Sequence, residues 1–383
     1  MYAGTNKGGT EAIIAAERLV LQRRAMLDGV ITVDQVIECF PRALDKIMGE
    51  GGLWDPRTAA TAYLQAGGDT AEAVHLLRAH RSTLPRLAYS EPVEPRELEL
   101  LRRIVPAHRK PDGPQLLGET VDYTARLLHP PDAPWDSEPP LPVEPPEPGA
   151  EAAESPQDVP FRRYRDYLAD RGVLADRTDP DDPEPFDLAL VAPQLPAERS
   201  ALLSAMALAE TGGLINIWYQ SIIGPDGYTD ESVTLGEVRH GRVPIRVVHP
   251  HTGNPVQIGR IRVTETEAIT HLTDRGEDAA KFDIGYGMAL GHNERKTIAM
   301  ASLDLAAHRF RGTEGGQRLD QILLHTTDGL ASCGFLEHLK LPHYVTFRSQ
   351  LERAEAAAGE AGPTTERPTT EHGEDCDHDH DHA

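Results

Sequence analysis

The chain has 383 residues, 61 of them acidic and 38 basic, with a formal net charge of -23, a length that allows two or three domains. No run of about 18 apolar residues occurs, and the opening residues lack a basic stretch followed by an apolar one, so neither a membrane-spanning nor a secreted protein is expected. Cys39, Cys333 and Cys376 have no disulfide or zinc-knuckle spacing, which fits a reducing cytoplasm.

The charge is concentrated. Pro130 to Pro160 holds eight acidic residues and no basic one, and Leu351 to Ala383 holds ten acidic and two basic. These stretches supply -16, and the remainder carries only about -7, so its surface can still hold basic pockets for a phosphorylated small molecule. Nucleic-acid binding is disfavoured, because no basic aromatic patch accompanies the acidic balance.

From Gly9 to about Leu128 the periodicity predicts helices. EAIIAAERLVLQRRAML spaces Ile13, Ile14, Ala16, Leu19, Val20 and Leu27 at helical intervals, with Thr10 and Glu11 suited to its start. ITVDQVIECFPRALDKIMGEGG is interrupted at Pro41, and DPRTAATAYLQAGG and DTAEAVHLLRAHRSTL follow, each bounded by Gly, Pro or Asp. GPQLLGETVDYTARLLHPP reads as a turn and short helix. Pro130 to Pro160 contains eleven prolines and no periodic apolar face, the pattern of a disordered extended linker.

Beyond it, FRRYRDYLADRGVL and PAERSALLSAMALAETGGLINIWYQSII read as helical. The period then changes. VTLGEVRHGRVPIRVVHP and NPVQIGRIRVTETEAI are rich in Val and Ile, partly alternate, and flank the turn signal HTGN, which predicts an antiparallel hairpin or meander. FDIGYGMALGHNERKTIAMASLDLAAHRF reads as a glycine-rich turn entering an Ala-rich helix near Asn293. The fold class expected is α+β, with a helical N-terminal half (1-129), the linker (130-160), a mixed C-terminal half with an antiparallel sheet (161-358) and a disordered acidic tail (359-383).

Five features could carry chemistry. His338 and His343 would lie about 140° apart on one continuous helix, but Pro342 ends that helix and lets the second imidazole turn back, giving half of a zinc site. Cys333 is a possible further ligand, and two ordinary histidines at a helix end are the alternative. Gly285, Gly287 and Gly291 precede a helix whose free N–H groups, with Arg295 and Lys296, could hold an anion; a tight turn with solvated charges is the alternative. Lys7-Gly8-Gly9 follows the same logic. Arg78 and Arg81, three apart, with Arg86 nearby, could clamp a phosphate or form a solvated face. His378, His380 and His382 in the tail could capture metal transiently or only solubilise.

The segments MYAGTNKGGTEAI, LLRAHRSTLPRLAYSEP, QLLGETVDYTARLL, GYGMALGHNERK and GFLEHLKLPHY closely resemble the PhnI family, a subunit of the carbon-phosphorus lyase system. The resemblance covers both ordered halves and leaves out the linker and the tail. It implies a protein that works with PhnG, PhnH and PhnL to replace the adenine of ATP by methylphosphonate, giving ribose 1-methylphosphonate 5-triphosphate. Alone, such proteins resemble a nucleosidase acting on ATP or GTP. It implies a homodimer within a core complex with PhnG, PhnH and PhnJ, and zinc on the histidines of HLKLPH, here His338 and His343. A non-catalytic zinc-binding scaffold is the alternative. The reaction needs an anion near the sugar, a donor at the base, and magnesium with cations for the triphosphate. Asp122 and Glu294 are the candidate carboxylates, and Arg78, Arg81, Arg295 and Lys296 the candidate phosphate ligands.

Overall fold

In the computed structural model of the chain, the described residues are 9-26, 29-122, 162-177, 184-222, 234-272, 280-325, 328-340 and 344-360. The linker at Pro130 to Pro160, the Lys7-Gly8 pair and the histidine tail lie outside them. The fold is α+β, as expected. The chain forms two units, one combining Met1–Leu27 with Phe335–Ala383 and the other running from Asp28 to Gly334.

In the first unit, α1 (Gly9–Ala25) is a helix with no buried residue, and Ile13, Leu19 and Val20 are exposed. α12 (Tyr344–Glu360) is likewise exposed along its described side chains.

The second unit opens with four helices, three of them with side-chain caps at their N-termini. α2 (Val33–Cys39) starts at a reciprocal Thr32–Gln35 capping box, and α3 (Pro41–Gly51) restarts with Pro41 at its first position, where the missing N–H costs nothing. Asp55 caps α4 (Pro56–Gln65), and Asp69 caps α5 (Thr70–Thr83), each accepting two backbone N–H bonds. Their apolar faces close on one core containing Val36, Leu44, Ile47, Met48, Val74 and Leu77.

The helical reading fails after α5. Residues 85-122 are mostly irregular backbone and turns, and Glu99–Ile104 forms β1, which pairs antiparallel with β2 (Thr234–Val248); the second half of GPQLLGETVDYTARLLHPP, from 123 on, lies outside the described residues. β2 pairs with β3 (Pro255–His271) through the HTGN turn, where Gly253 takes a positive φ of 71°, and β3 pairs with β4 (Phe282–Leu290). The sheet order is β1-β2-β3-β4, so β4 is an edge. β1 carries too weak an alternation to be read without its partner, since its sequence, ELLRRI, has two arginines side by side.

Alternation, reset by register shifts between Leu100 and Arg102 and between Leu235 and Glu237, gives the sheet two different faces. Arg102, His240, Thr264, Thr266, Ala268, Gly285 and Gly287 lie in register on one face, which packs on α9 (Glu294–Arg309) through a Thr266–Thr297 hydroxyl bond of 2.7 Å. On the other face, Arg103 pairs with Glu237 at 2.7 Å, Arg239 with Glu265, and Arg163 with Glu267 at 2.7 Å, all buried. α6 (Tyr164–Asp170) follows Arg163 over this ionic layer, Tyr164 N–H donating to Glu237.

The glycine-rich segment read as a turn is instead β4. A methyl group at Gly285 would collide with the Ala301 carbonyl and one at Gly287 with the Thr297 carbonyl, so both glycines serve close approach of α9 to the strand. α7 (Arg199–Leu208), α8 (Thr211–Ile222) and α10 (Glu314–His325) pack on the other side of α9 around Met206, Leu214, Met300, Leu303 and Leu323. α11 is Gly329–Leu339.

The close approach yields an expected outcome. Gly285→Ala forces helix and strand apart and lowers unfolding stability by on the order of 2 kcal/mol; a denaturant midpoint equal to that of the unmodified chain contradicts the packing role.

Candidate functional site

β4 ends at Leu290 and α9 begins at Glu294, joined by Gly291, His292 and Asn293. Gly291 has a positive φ of 73°, and a Cβ there would sit 2.7 Å from that of Asp45, so only glycine fits. Asp45, buried in α3, clamps the turn. Its carboxylate accepts from His292 N–H at 3.0 Å and pairs with Arg262 at 2.7 Å, while its carbonyl accepts from Asn293 Nδ2 at 2.9 Å. Burial raises the Asp45 carboxyl, and Arg262 and the His292 N–H oppose it.

His292 stacks on the buried His240, the ring centroids 4.3 Å apart and the planes 23° from parallel. His240 Nδ1 lies 3.1 Å from Thr264 Oγ1, whose hydroxyl reaches the Gly291 carbonyl at 2.7 Å. Burial, then the neighbouring His292 and Arg262, push the His240 imidazole down to about 3, so it is neutral at physiological pH.

His292 Nε2 lies 3.4 Å from Glu294 Oε1. The same carboxylate accepts from Arg102 Nε at 2.5 Å, and Arg102 Nη2 donates to Asp122 at 2.5 Å. One buried guanidinium therefore holds both carboxylates expected to do chemistry, although they stand 172 positions apart in sequence. Burial alone would raise the Glu294 carboxyl; the bonds from His292 and Arg102 overcome it and hold it down at about 2. Glu294 is thus a fixed anion, able to stabilise an adjacent cation and unable to donate a proton near neutrality. Asp122 is far more open, its side chain 45% exposed.

The cations expected at a phosphate site separate. Arg295 is exposed in the first turn of α9. Arg78 donates to both oxygens of Asp328 and to the carbonyls of Glu50 and Leu208, and Arg81 to those of Gly51 and Gly52, so both fasten helix ends. Lys296 is 1% exposed, its Nζ has no hydrogen-bond partner among the described residues, and burial pulls it down to about 8.

His338 is exposed on the last turn of α11, and His343 lies outside the described residues. Among the described residues no group of three His, Cys, Asp or Glu side chains is placed to hold a metal ion. Cys333 is exposed. Two imidazoles alone do not complete a zinc site.

A profile for the family described as "Bacterial phosphonate metabolism protein (PhnI)" matches residues 1–360. The chain belongs to the PhnI family. It is 36% identical to the alpha-D-ribose 1-methylphosphonate 5-triphosphate synthase subunit PhnI of Rhizobium meliloti (strain 1021) over 382 residues, covering 94% of this chain and 97% of that protein. The Escherichia coli (strain K12) subunit of the same name is 34% identical over 357 residues, 92% of this chain and 97% of the relative. A putative C-P lyase subunit protein, HtxH, of Stutzerimonas stutzeri is 36% identical over 95% of this chain and 97% of its own length. Two of the segments that carried the resemblance to PhnI, around Asp122 and Glu294, are the ones that meet at Arg102.

Sequence reading missed Arg102, His240 and His292. His292 sits inside GHNERK and could have been weighed beside Glu294; the other two lie in strands, and their relevance depends on register.

The electrostatics predict acid lability. The unfolded chain protonates His240 near its ordinary value of 6.5, whereas the folded chain resists until about 3. Its contribution to stability is therefore complete above the unfolded value and declines as pH falls from 6.5 toward 3. Going from about pH 7 to about pH 5 it loses on the order of 2 kcal/mol. His240→Phe is expected to flatten that loss in urea titrations at the two pH values; an equally steep loss would count against a buried neutral imidazole.

Proposed function

We propose that this chain is the PhnI subunit of an alpha-D-ribose 1-methylphosphonate 5-triphosphate synthase, replacing the adenine of ATP by methylphosphonate. The observation that carries this reading is similarity along nearly the whole chain to two proteins of that name. The turn between β4 and α9 supplies chemistry of the right kind. As the bond from ribose C1 to adenine N9 breaks, positive charge grows on the sugar and negative charge on the base. Glu294, held ionised by Arg102, supplies the anion for the sugar, and His292 the donor for the departing base. A phosphonate oxygen then bonds to C1, and the base leaves with the electron pair and a proton.

Arg295, exposed beside the α9 N-terminus, is the cation available to the triphosphate; Arg78, Arg81 and Lys296 contribute charge from inside the fold. Magnesium would offset the remaining triphosphate charge. The working assembly is a cytoplasmic homodimer with PhnG, PhnH, PhnJ and PhnL partners, and the chain alone acts as a nucleosidase on ATP or GTP. His338 and His343 hold zinc that is completed by groups beyond this pair.

The decisive experiment is release of adenine from ATP by the purified chain, alone and with its partners and methylphosphonate. Glu294→Gln lowers the rate about 100-fold or more, with circular dichroism unchanged. An unaffected rate removes Glu294 from the mechanism.

A second reading, a non-catalytic zinc-binding scaffold that positions partner subunits, is favoured by one observation: three of the four expected phosphate ligands point into the protein as fasteners or core residues. Absence of base release both alone and with partners selects it. For zinc, His338→Ala and His343→Ala are each expected to lower the metal bound per chain, measured on a chain truncated after Ala358 so that the tail histidines do not contribute. Unchanged zinc content refutes the paired-ligand reading.

A further inference from the structure

A cavity of about 660 Å³ opens against the ionic face of the sheet, beside its edge strand β4. Residues 173-177 form its wall by running along that edge: Phe282 N–H donates to the Val173 carbonyl at 2.7 Å and Ala175 N–H to the Phe282 carbonyl at 2.8 Å. Four arginines line it, Arg163, Arg165, Arg177 and Arg199, against two acids, Glu267 and Asp176.

The guanidiniums are fixed from behind, with donors left over. Asp304 grips Arg199 through Nε and Nη2 at 2.9 and 2.6 Å, leaving Nη1 without a hydrogen-bond partner among the described residues. Arg177 uses only Nη1, toward Asp283 and the Ile284 carbonyl, leaving Nε and Nη2. Arg163 is buried behind the cavity wall and paired with Glu267 at 2.7 Å, so it adds positive charge there without offering an exposed donor. Donors held rigidly by carboxylates behind them lose little entropy on meeting a ligand, and their planar forks match tetrahedral oxyanions. Leu174, Ala169 and Ile284 give the same space an apolar side.

We propose that this cavity binds a small anion carrying a tetrahedral phosphate or phosphonate headgroup, with Arg177 and Arg199 on the headgroup, Arg165 at the rim and a short organic substituent against Leu174 and Ile284. The strand residues that line it, Glu267, Ile284 and Tyr286, lie on the face of the sheet opposite Arg102 and His240, while Arg177 and Arg199 reach it past the β4 edge, so occupancy here stands or falls separately from base release at Glu294. The size is ordinary for a small-molecule site.

Isothermal titration calorimetry of the full chain with inorganic phosphate and, separately, methylphosphonate tests this. One equivalent is expected to bind, weakened at least about 10-fold in Arg177→Gln and about 3- to 10-fold in Arg165→Gln and Ala169→Glu. The last two alter exposed positions and leave the fold intact. Tighter binding of methylphosphonate assigns the apolar side to the substituent; equal binding assigns recognition to the headgroup alone. Binding of neither anion, or binding undiminished in both Arg165→Gln and Ala169→Glu, overturns the proposal.

Discussion

The architecture depends on the two-residue period of β3. In Thr264-Glu265-Thr266-Glu267 the threonines face α9 and the glutamates face the opposite side, where Arg163 and Arg239 meet them. Hydroxyls satisfy each other and the turn carbonyl at short range, so the helix can lie close. Carboxylates on the other face demand buried cations, because an unpaired charge there would cost several kcal/mol. A slip of one residue would place glutamates under the helix and threonines against arginines, so the register is strongly specified.

That register in turn positions the candidate site. Because Gly285 and Gly287 lack side chains, α9 lies against β4, and the short turn brings His292 and Glu294 next to His240 and Arg102. Asp45 reaches in from α3 to bind both the turn N–H and Arg262, coupling the helical part of the unit to the sheet. The buried Arg102 is the electrostatic centre. It keeps Glu294 ionised where burial would neutralise it, and its second arm holds Asp122 nearer to solvent. A reaction that builds positive charge on a sugar benefits from an anion that needs no reorganisation.

Much of the secondary structure was legible. Thr32, Asp55 and Asp69 cap helices where short polar residues precede apolar periodicity, and the HTGN hairpin closes where the alternation breaks. Three features were not. β1 has paired arginines that spoil alternation, and it is a strand because β2 offers it a ladder. The glycines of GYGMALG suggest a turn locally, but in the fold they answer to a helix that begins three residues after the last of them. Arg78 and Arg81 look like an open basic face on a helical wheel, yet their acceptors lie 28 to 250 positions away.

The residues by themselves determined the fold class, the helix boundaries set by caps and prolines and the resemblance to PhnI, and they nominated Asp122 and Glu294 as candidate carboxylates, since each is written in local pattern or motif. Only the tertiary structure decided that one guanidinium joins those carboxylates, that His292 and His240 stack beside them, and that four arginines surround a separate cavity. Each of these depends on contacts between side chains far apart in the chain. Local propensity carries no information about such contacts; strand register and helix packing create them.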